Sequence, residues 1–391
     1  MKLQSTFLIL LLSFSALGQT EKPEPILGFA IELKPTEWYL KQQKLWQQVL
    51  DKDKSNAAAW YNYYRVSRNL SRTNPDEKRS KGAIDTALTE IVNEMEKHVP
   101  QSYEFNLCKW LIGGNSLENK KYLLKAIELG EGKAEHLPDA VILYEQERNL
   151  AKKAAFLQKW LDLGAYSPGL LYYNYNVLIG LEPNAILISN GDNDTYPIWL
   201  LQQRGIRKDV TLLNTSLLYL DDYRNKMFAE LGLKPFEPFK KPFPITMEEY
   251  EAGEKRMRTE MLDILSQNKY KSPVYIAVTC GDLYAKENQN NFYLTGLTYQ
   301  YSNTNIDNIA LLRKNFELNY ALDYLDKDFY FDQSIYYAKE SNMNYIIPMV
   351  KLWEHYKLCG EKSKADKIKL QLLSIVKGRA EEKETADYLN Q

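Results

Sequence analysis

The sequence predicts an α/β plus α protein: a small parallel-sheet α/β domain flanked by helical hairpins. Three observations predict it. Apolar residues recur at helical spacing from about residue 36 to 180 and again over 346–376. Between these stretches, short apolar runs alternate with an amphipathic segment in a βαβ pattern. Residues 122–130 (YLLKAIELG) and 156–164 (FLQKWLDLG) also align at an offset of 34.

The elements follow in order. Lys2, the short apolar run from Phe7 to Phe14 and the small residues Ala16 and Gly18 have the layout of a secretory signal peptide, 1–18, leaving Gln19 as the first mature residue. The run is shorter than the about 20 apolar residues a membrane span needs. No other segment is long and apolar enough to cross a bilayer, so the expectation is a periplasmic or secreted protein with no transmembrane segment in the mature chain. Residues 19–180 form a helical domain. Trp38, Leu40, Leu45, Trp46, Val49 and Leu50 mark one helix. Trp60, Tyr63, Tyr64 and Val66 mark the next, with Ser55 or Asn56 as its cap. The offset of 34 is the period of tetratricopeptide hairpins, so these are read as degenerate tetratricopeptide-like repeats that share a core and offer a groove to a protein partner.

Residues 181–310 form the α/β domain. Its strands are Ala185–Ser189, Val210–Asn214 and Pro273–Thr279, with a helix over 197–204 opened by Pro197. Helices follow near 221–231 and 247–268, and 292–297 is a further extended edge. Four prolines in 234–244 preclude regular helix there, and Phe236, Phe239 and Phe243 pin that loop to the domain. Residues 311–391 close the chain with helical hairpins around Gly360.

Lys+Arg 50 against Asp+Glu 51 gives a net charge of -1, with no basic stripe, which excludes nucleic acid as the expected partner. Cys108, Cys280 and Cys359 are widely spaced and odd in number, so they form neither a disulfide framework nor a metal pattern. His98, His136 and His355 all sit in helical regions, and no Walker A or dinucleotide-binding phosphate loop occurs.

Chemistry concentrates at Asn190-Gly191-Asp192-Asn193-Asp194-Thr195, the turn after the first strand. In open α/β sheets ligands bind outside the carboxyl ends of the strands. Asp194 or Thr195 can cap the following helix, but capping uses one side chain and leaves the rest of the run unexplained. Two carboxylates repel a phosphate from that helix end. Sugar hydroxyls, or a hard cation such as Ca²⁺ or Mg²⁺ held by Asp192 and Asp194, suit the oxygen-rich set. Tyr196 and Trp199 offer aromatic faces for a sugar, with packing into the core the favoured reading of Trp199. If the strands are parallel, Asn214 and Thr215-Ser216 at the second strand end, and Thr279 and Asp282 at the third, join the same rim. The candidate ligand-binding set is therefore Asn190, Asp192, Asn193, Asp194, Thr195, Asn214, Thr279 and Asp282. No catalytic residue is assigned.

Residues 186–199, 205–210 and 213–218, with 274–279, 297–299 and the closing hairpin, resemble the soluble C-terminal region of bacterial protein O-mannosyltransferase-like multi-pass membrane proteins. The resemblance covers about residues 180–375 and is carried above all by the NGDNDT run. It implies an exported module tied to protein glycosylation. The donor site and catalytic acid of such proteins are expected in a membrane portion, which a signal peptide and helical repeats replace here, so glycosyl transfer is not carried over. The expected function is an exported binding or scaffold protein of the cell envelope, recognising a glycan or a partner protein. The alternative is a carboxylate- or metal-dependent glycan-acting hydrolase or transferase.

Overall fold

The computed structural model describes residues 21–113, 117–242, 245–285, 289–327 and 332–391. Residues 1–18, read from the sequence as a signal peptide, and Phe243 lie outside the described residues. The chain is mostly helical and forms two compact units, one of residues 35–99 with the segment up to 26, the other of residues 100–391 with 27–34.

In the first unit, α1 (Thr36–Lys52) and α2 (Ala57–Thr73) pair as an antiparallel hairpin, followed by α3 (Lys81–His98). Asn56 caps α2 by accepting from the Ala59 N–H at 3.0 Å. Thr36 Oγ1 donates to the Thr73 carbonyl and Gln43 Nε2 to Ser67 Oγ, which ties the hairpin along its length. Of the residues read as marking these helices, Leu50, Trp60, Tyr64 and Val66 are buried, with Tyr39 and Leu70 beside them, whereas Trp38, Leu45, Trp46, Val49 and Tyr63 are half-buried and Leu40 is exposed. The segment 21–26 lies along this core. Its Ile26 N–H donates to Asn62 Oδ1 at 2.7 Å, and its Glu24 carbonyl accepts from Trp46 Nε1 at 2.9 Å.

The second unit opens with α4 (Tyr103–Ile112), α5 (Lys120–Leu129), α6 (Leu137–Gln146), α7 (Leu150–Leu163) and α8 (Pro168–Ile179). α4 packs on α5 and α6 on α7. The two segments that align at an offset of 34 are the second helices of these consecutive hairpins, α5 and α7. α7 ends at Gly164 with φ +65°, the left-handed conformation a terminating glycine adopts without a Cβ clash.

Next come β1 (Ile186–Ser189), α9 (Asp192–Gln203), β2 (Thr211–Asn214), α10 (Thr215–Leu218), α11 (Asp221–Glu230), α12 (Met247–Ser266), β3 (Val274–Ala277), α13 (Gly281–Ala285), β4 (Phe292–Leu294) and β5 (Thr298–Tyr301). Among the described residues the strand order is β2-β1-β3-β5-β4. The predicted parallel sheet is correct for β2, β1 and β3 only. β5 runs antiparallel to β3, and β4 antiparallel to β5, so the sheet is mixed. The physical reason is the connection. A short turn at Thr295–Leu297 joins β4 to β5, and such a turn closes an antiparallel pair, whereas a parallel pair needs a crossover of a dozen or more residues. Every residue of β1 and β3 is buried, which is why both read as uninterrupted apolar runs.

The proline-rich segment is held from beneath by Arg224. This fully buried guanidinium donates to the carbonyls of Phe236 and Leu218, each at 2.7 Å, and pairs with Asp221. Phe236 and Phe239 are buried alongside.

The chain closes with α14 (Asn308–Lys314), α15 (Ile335–Asn342), α16 (Ile346–Leu358), α17 (Lys362–Val376) and α18 (Glu382–Leu389). Gly360, at φ +72°, turns α16 into α17. Glu317, in the wide helical turn after α14, joins these elements through the Tyr356 hydroxyl at 2.7 Å, Arg313 Nε at 2.9 Å and Lys364 Nζ at 3.2 Å. Burial pushes its carboxyl up, but these three donors outweigh burial and bring it down to about 2. A carboxylate depressed on folding contributes stability that is present above the unfolded Glu value, about 4.3, and is lost as pH falls through the folded one. Glu317→Gln should therefore be less stable than the parent at pH 7. The gap should close between about pH 4 and pH 2 in thermal melts.

Candidate functional site

The parallel register sets Ser189 beside Asn214 and Ile188 beside Ile276, so the carboxyl ends of β1, β2 and β3 share one rim. The run after β1 is not a loop in front of a helix. α9 begins at Asp192, five residues before Pro197, so Pro197 lies inside the helix rather than at its first position. Interior proline removes a donor to the carbonyl four residues back. That carbonyl belongs to Asn193, and it accepts from Asn174 Nδ2 of α8 at 2.9 Å instead. A buried amide from a neighbouring helix thus replaces the missing N–H, and α8 packs on α9 there.

The rim residues bond to one another. Asp194 is 6% exposed, and one of its carboxylate oxygens accepts from the Asn190 N–H at 3.2 Å and from the Thr279 hydroxyl. Asn190 Nδ2 donates to the Thr279 carbonyl at 3.1 Å. The Asn190 carbonyl accepts from Asn214 Nδ2 at 2.8 Å and Thr215 Oγ1 at 3.1 Å. Asn214 also donates to Thr195 Oγ1 at 2.8 Å and caps α10 by accepting from the Leu217 N–H. Thr195 and Ser189 share a hydroxyl–hydroxyl bond at 2.8 Å. The network crosses all three parallel strand ends and uses their polar groups internally.

Burial raises the Asp194 carboxyl above the ordinary aspartate value, with the Thr279 and Asn190 hydrogen bonds opposing it. Burial, reinforced by Asp194, also pushes the Cys280 thiol well up.

Of the predicted set, Asn190, Asp194, Thr195, Asn214 and Thr279 converge. Asp192 does not join them. It is exposed, whereas Asp194 is buried. Residues two apart on a helix point about 200° from each other, so Asp192 lies on the exposed side of the turn and Asp194 on the buried one. Each instead sits in the first turn of α9, where the positive end of the helix dipole favours negative charge. Asn193 is half-buried. The side chain of Asp282 lies outside the described residues. Among the described residues, no three His, Cys, Asp or Glu side chains group to hold a metal ion.

Of the two aromatic side chains, Trp199 is core, as its favoured reading has it, and Tyr196 is half-buried. Trp199 is 3% exposed with the Lys153 ammonium 3.9 Å from its ring centre, and Tyr196 packs against Trp160 and Trp199. His136 is also buried and bonded to the Tyr103 hydroxyl, with burial lowering its pKa.

Sequence reasoning placed Thr215 on the rim without including it in the candidate set, and it missed Ser189 and Asn174. Asn174 had a signal, a carboxamide inside the apolar helix that follows Pro168. It also missed Glu145, which has no signal short of tertiary contact. Glu145 is 1% exposed in α6 and pairs with Arg148 and Lys153, while the Tyr223 hydroxyl donates to it at 3.1 Å. Arg148 continues to Glu230 of α11 at 2.6 Å.

A family model described as TMEM260-associated domain 2 matches residues 172–259, which run from α8 through the rim and β2 into α12. No curated protein matches the chain. Among solved structures, a monomeric mutant of IFIT1 with m7Gppp-AAAA matches 86% of this chain and 67% of that one, at 14% identity and a TM-score of 0.27. At that score the match carries no argument about fold or function. Over residues 172–259 the chain is similar to TMEM260-associated domain 2.

Proposed function

We propose that this chain is an exported binding or scaffold module of the cell envelope, linked to protein glycosylation, with tetratricopeptide-like hairpins as its contact surfaces. The observation that carries this reading is the closed network at the strand ends. Asp194, Asn190, Asn214, Thr195 and Thr279 bond to one another, which makes the rim a rigid seam. The match to TMEM260-associated domain 2 covers Asn190, Asp194, Thr195 and Asn214 of that seam, and the link to glycosylation rests on the resemblance to the soluble region of O-mannosyltransferase-like proteins. Export rests on the layout of residues 1–18, and amino-terminal sequencing of the secreted protein should begin at Gln19.

A second reading is favoured by the exposed lip of the same turn. Gly191 and Asp192 are exposed beside half-buried Asn193 and Asn190, and these oxygens and amides suit a sugar hydroxyl or a hard cation. A thermal-shift series with Ca²⁺, Mg²⁺ and neutral sugars on the parent and on Asp192→Asn separates the readings. The scaffold reading expects no shift with any of them. A rise of several degrees in the parent that Asp192→Asn abolishes would establish the lip as a ligand site, since binding raises stability by mass action. Turnover of a glycan lost in the same variant would favour the enzyme alternative.

A further inference from the structure

The first unit carries an open cleft of about 510 Å³ between its three helices. Each helix contributes a stripe at helical spacing: Leu40, Gln43 and Gln47 from α1, Trp60, Tyr63, Ser67 and Leu70 from α2, and Ile84, Ala87, Leu88 and Ile91 from α3. The α3 stripe is the informative one. Val92 and Met95 on that helix are fully buried, whereas Ile84, Ala87, Leu88 and Ile91 are only half-buried, and across the cleft Leu40 is 41% exposed. An amphipathic helix normally buries its apolar stripe against a partner. Here the carboxyl-terminal half of α3 does so, and the amino-terminal half lines open space.

The charges at the cleft indicate what would fill it. Glu77, Glu90 and Glu94 line it against the single guanidinium of Arg79. Arg79 is committed to Glu77 at 2.6 Å, and Glu94 reaches Lys97 at 2.6 Å. The apolar floor with an acidic border therefore complements an apolar stripe flanked by cations. A groove walled by helical stripes takes a helix through anchors at i, i+3, i+4 and i+7. We propose that this cleft docks one amphipathic helix of a partner protein, with its apolar stripe on Leu40, Tyr63 and Leu88 and with a Lys or Arg residue facing Glu90, the lining carboxylate that no cation among the described residues engages. This deepens the binding-module reading and rests on it.

The test uses the full exported chain and three 18-residue peptides. One is a Leu/Lys helix with Leu at i, i+3, i+4 and i+7. The second has its composition shuffled, and the third replaces Lys by Glu. Titration calorimetry should show the Leu/Lys helix binding about 10-fold or more tighter than either control, and Leu40→Glu should weaken it about 10-fold. Because Leu40 is exposed, that variant should keep the parent melting temperature. Glu90→Lys should weaken the Leu/Lys helix and narrow its advantage over the Glu peptide. Equal binding of the shuffled peptide, indifference to Leu40→Glu, or preference for the Glu peptide would each overturn the proposal. Cross-linking of the full chain in cells separates the two levels. Partners fully retained by Leu40→Glu overturn the cleft and leave the binding module standing, whereas a parent chain with no partner overturns the module itself.

Discussion

Replacing Glu145 by alanine should cost about 3–5 kcal/mol of folding stability, the largest loss expected of any single change here. Glu145 is buried in α6 with both carboxylate oxygens engaged by Arg148, Lys153 and the Tyr223 hydroxyl. Burial lowers the pKa of the Lys153 ammonium, and Glu145 opposes this. Removing it leaves two poorly solvated cations side by side. It also releases α7 and α11 from α6, because Lys153 lies on α7, Tyr223 on α11, and Arg148 reaches Glu230 at the end of α11. Urea titration of Glu145→Ala, Lys153→Met and the double variant checks this. The double variant should recover much of the loss, since a buried pair replaced by apolar groups is often near neutral. If Glu145→Ala melts within a degree of the parent, the cluster does not hold these helices together.

The second large effect lies at the strand-end rim. Asp194→Ala should cost about 3 kcal/mol, because the Asn190 N–H and the Thr279 hydroxyl both lose their acceptor in a buried site, each loss being worth about 1–3 kcal/mol. Asp194→Asn keeps a carbonyl for the two donors and should cost about 1 kcal/mol. Asp192→Asn, on the exposed side of the same helix turn, should be near neutral. The pH dependence has a definite sign. Burial raises the Asp194 carboxyl on folding, so its contribution is fully present below the unfolded Asp value of about 3.9 and declines as pH rises through the folded one. The parent should therefore lose stability relative to Asp194→Asn as pH rises above about 4 in urea titrations. If Asp194→Ala left the melting temperature unchanged yet abolished binding of a sugar or cation, the rim would be a ligand site and not a seam.

The candidate rim was partly legible in the sequence because strand ends announce themselves. Apolar runs stop at Asn190, Asn214 and Thr279, and parallel strands bring such ends together. How the polar groups are used was not legible. Spacing suggested that Asp192 and Asp194 face one ligand, but a helix that starts at Asp192 turns them apart, and that start is hidden by Pro197. Proline is a good first helical residue, so it marked the boundary five residues late. The interior position is tolerated because Asn174, from a helix earlier in the chain, supplies the missing donor.

What the sequence by itself determined is local. Apolar period set most of the helices and the three apolar strands, Asn56 set a cap, Gly360 set a hairpin turn, and the offset of 34 marked α5 and α7 as equivalent helices of consecutive hairpins. What only the tertiary structure decided is non-local. It turned β4 and β5 antiparallel and closed the strand-end polar groups on each other. It buried Glu145 among cations and left half of the α3 stripe uncovered. The division follows from the range of the forces. Helix periodicity and capping act within a turn of the chain, whereas a buried charge or carboxamide is stable only where residues tens of positions away supply its partners.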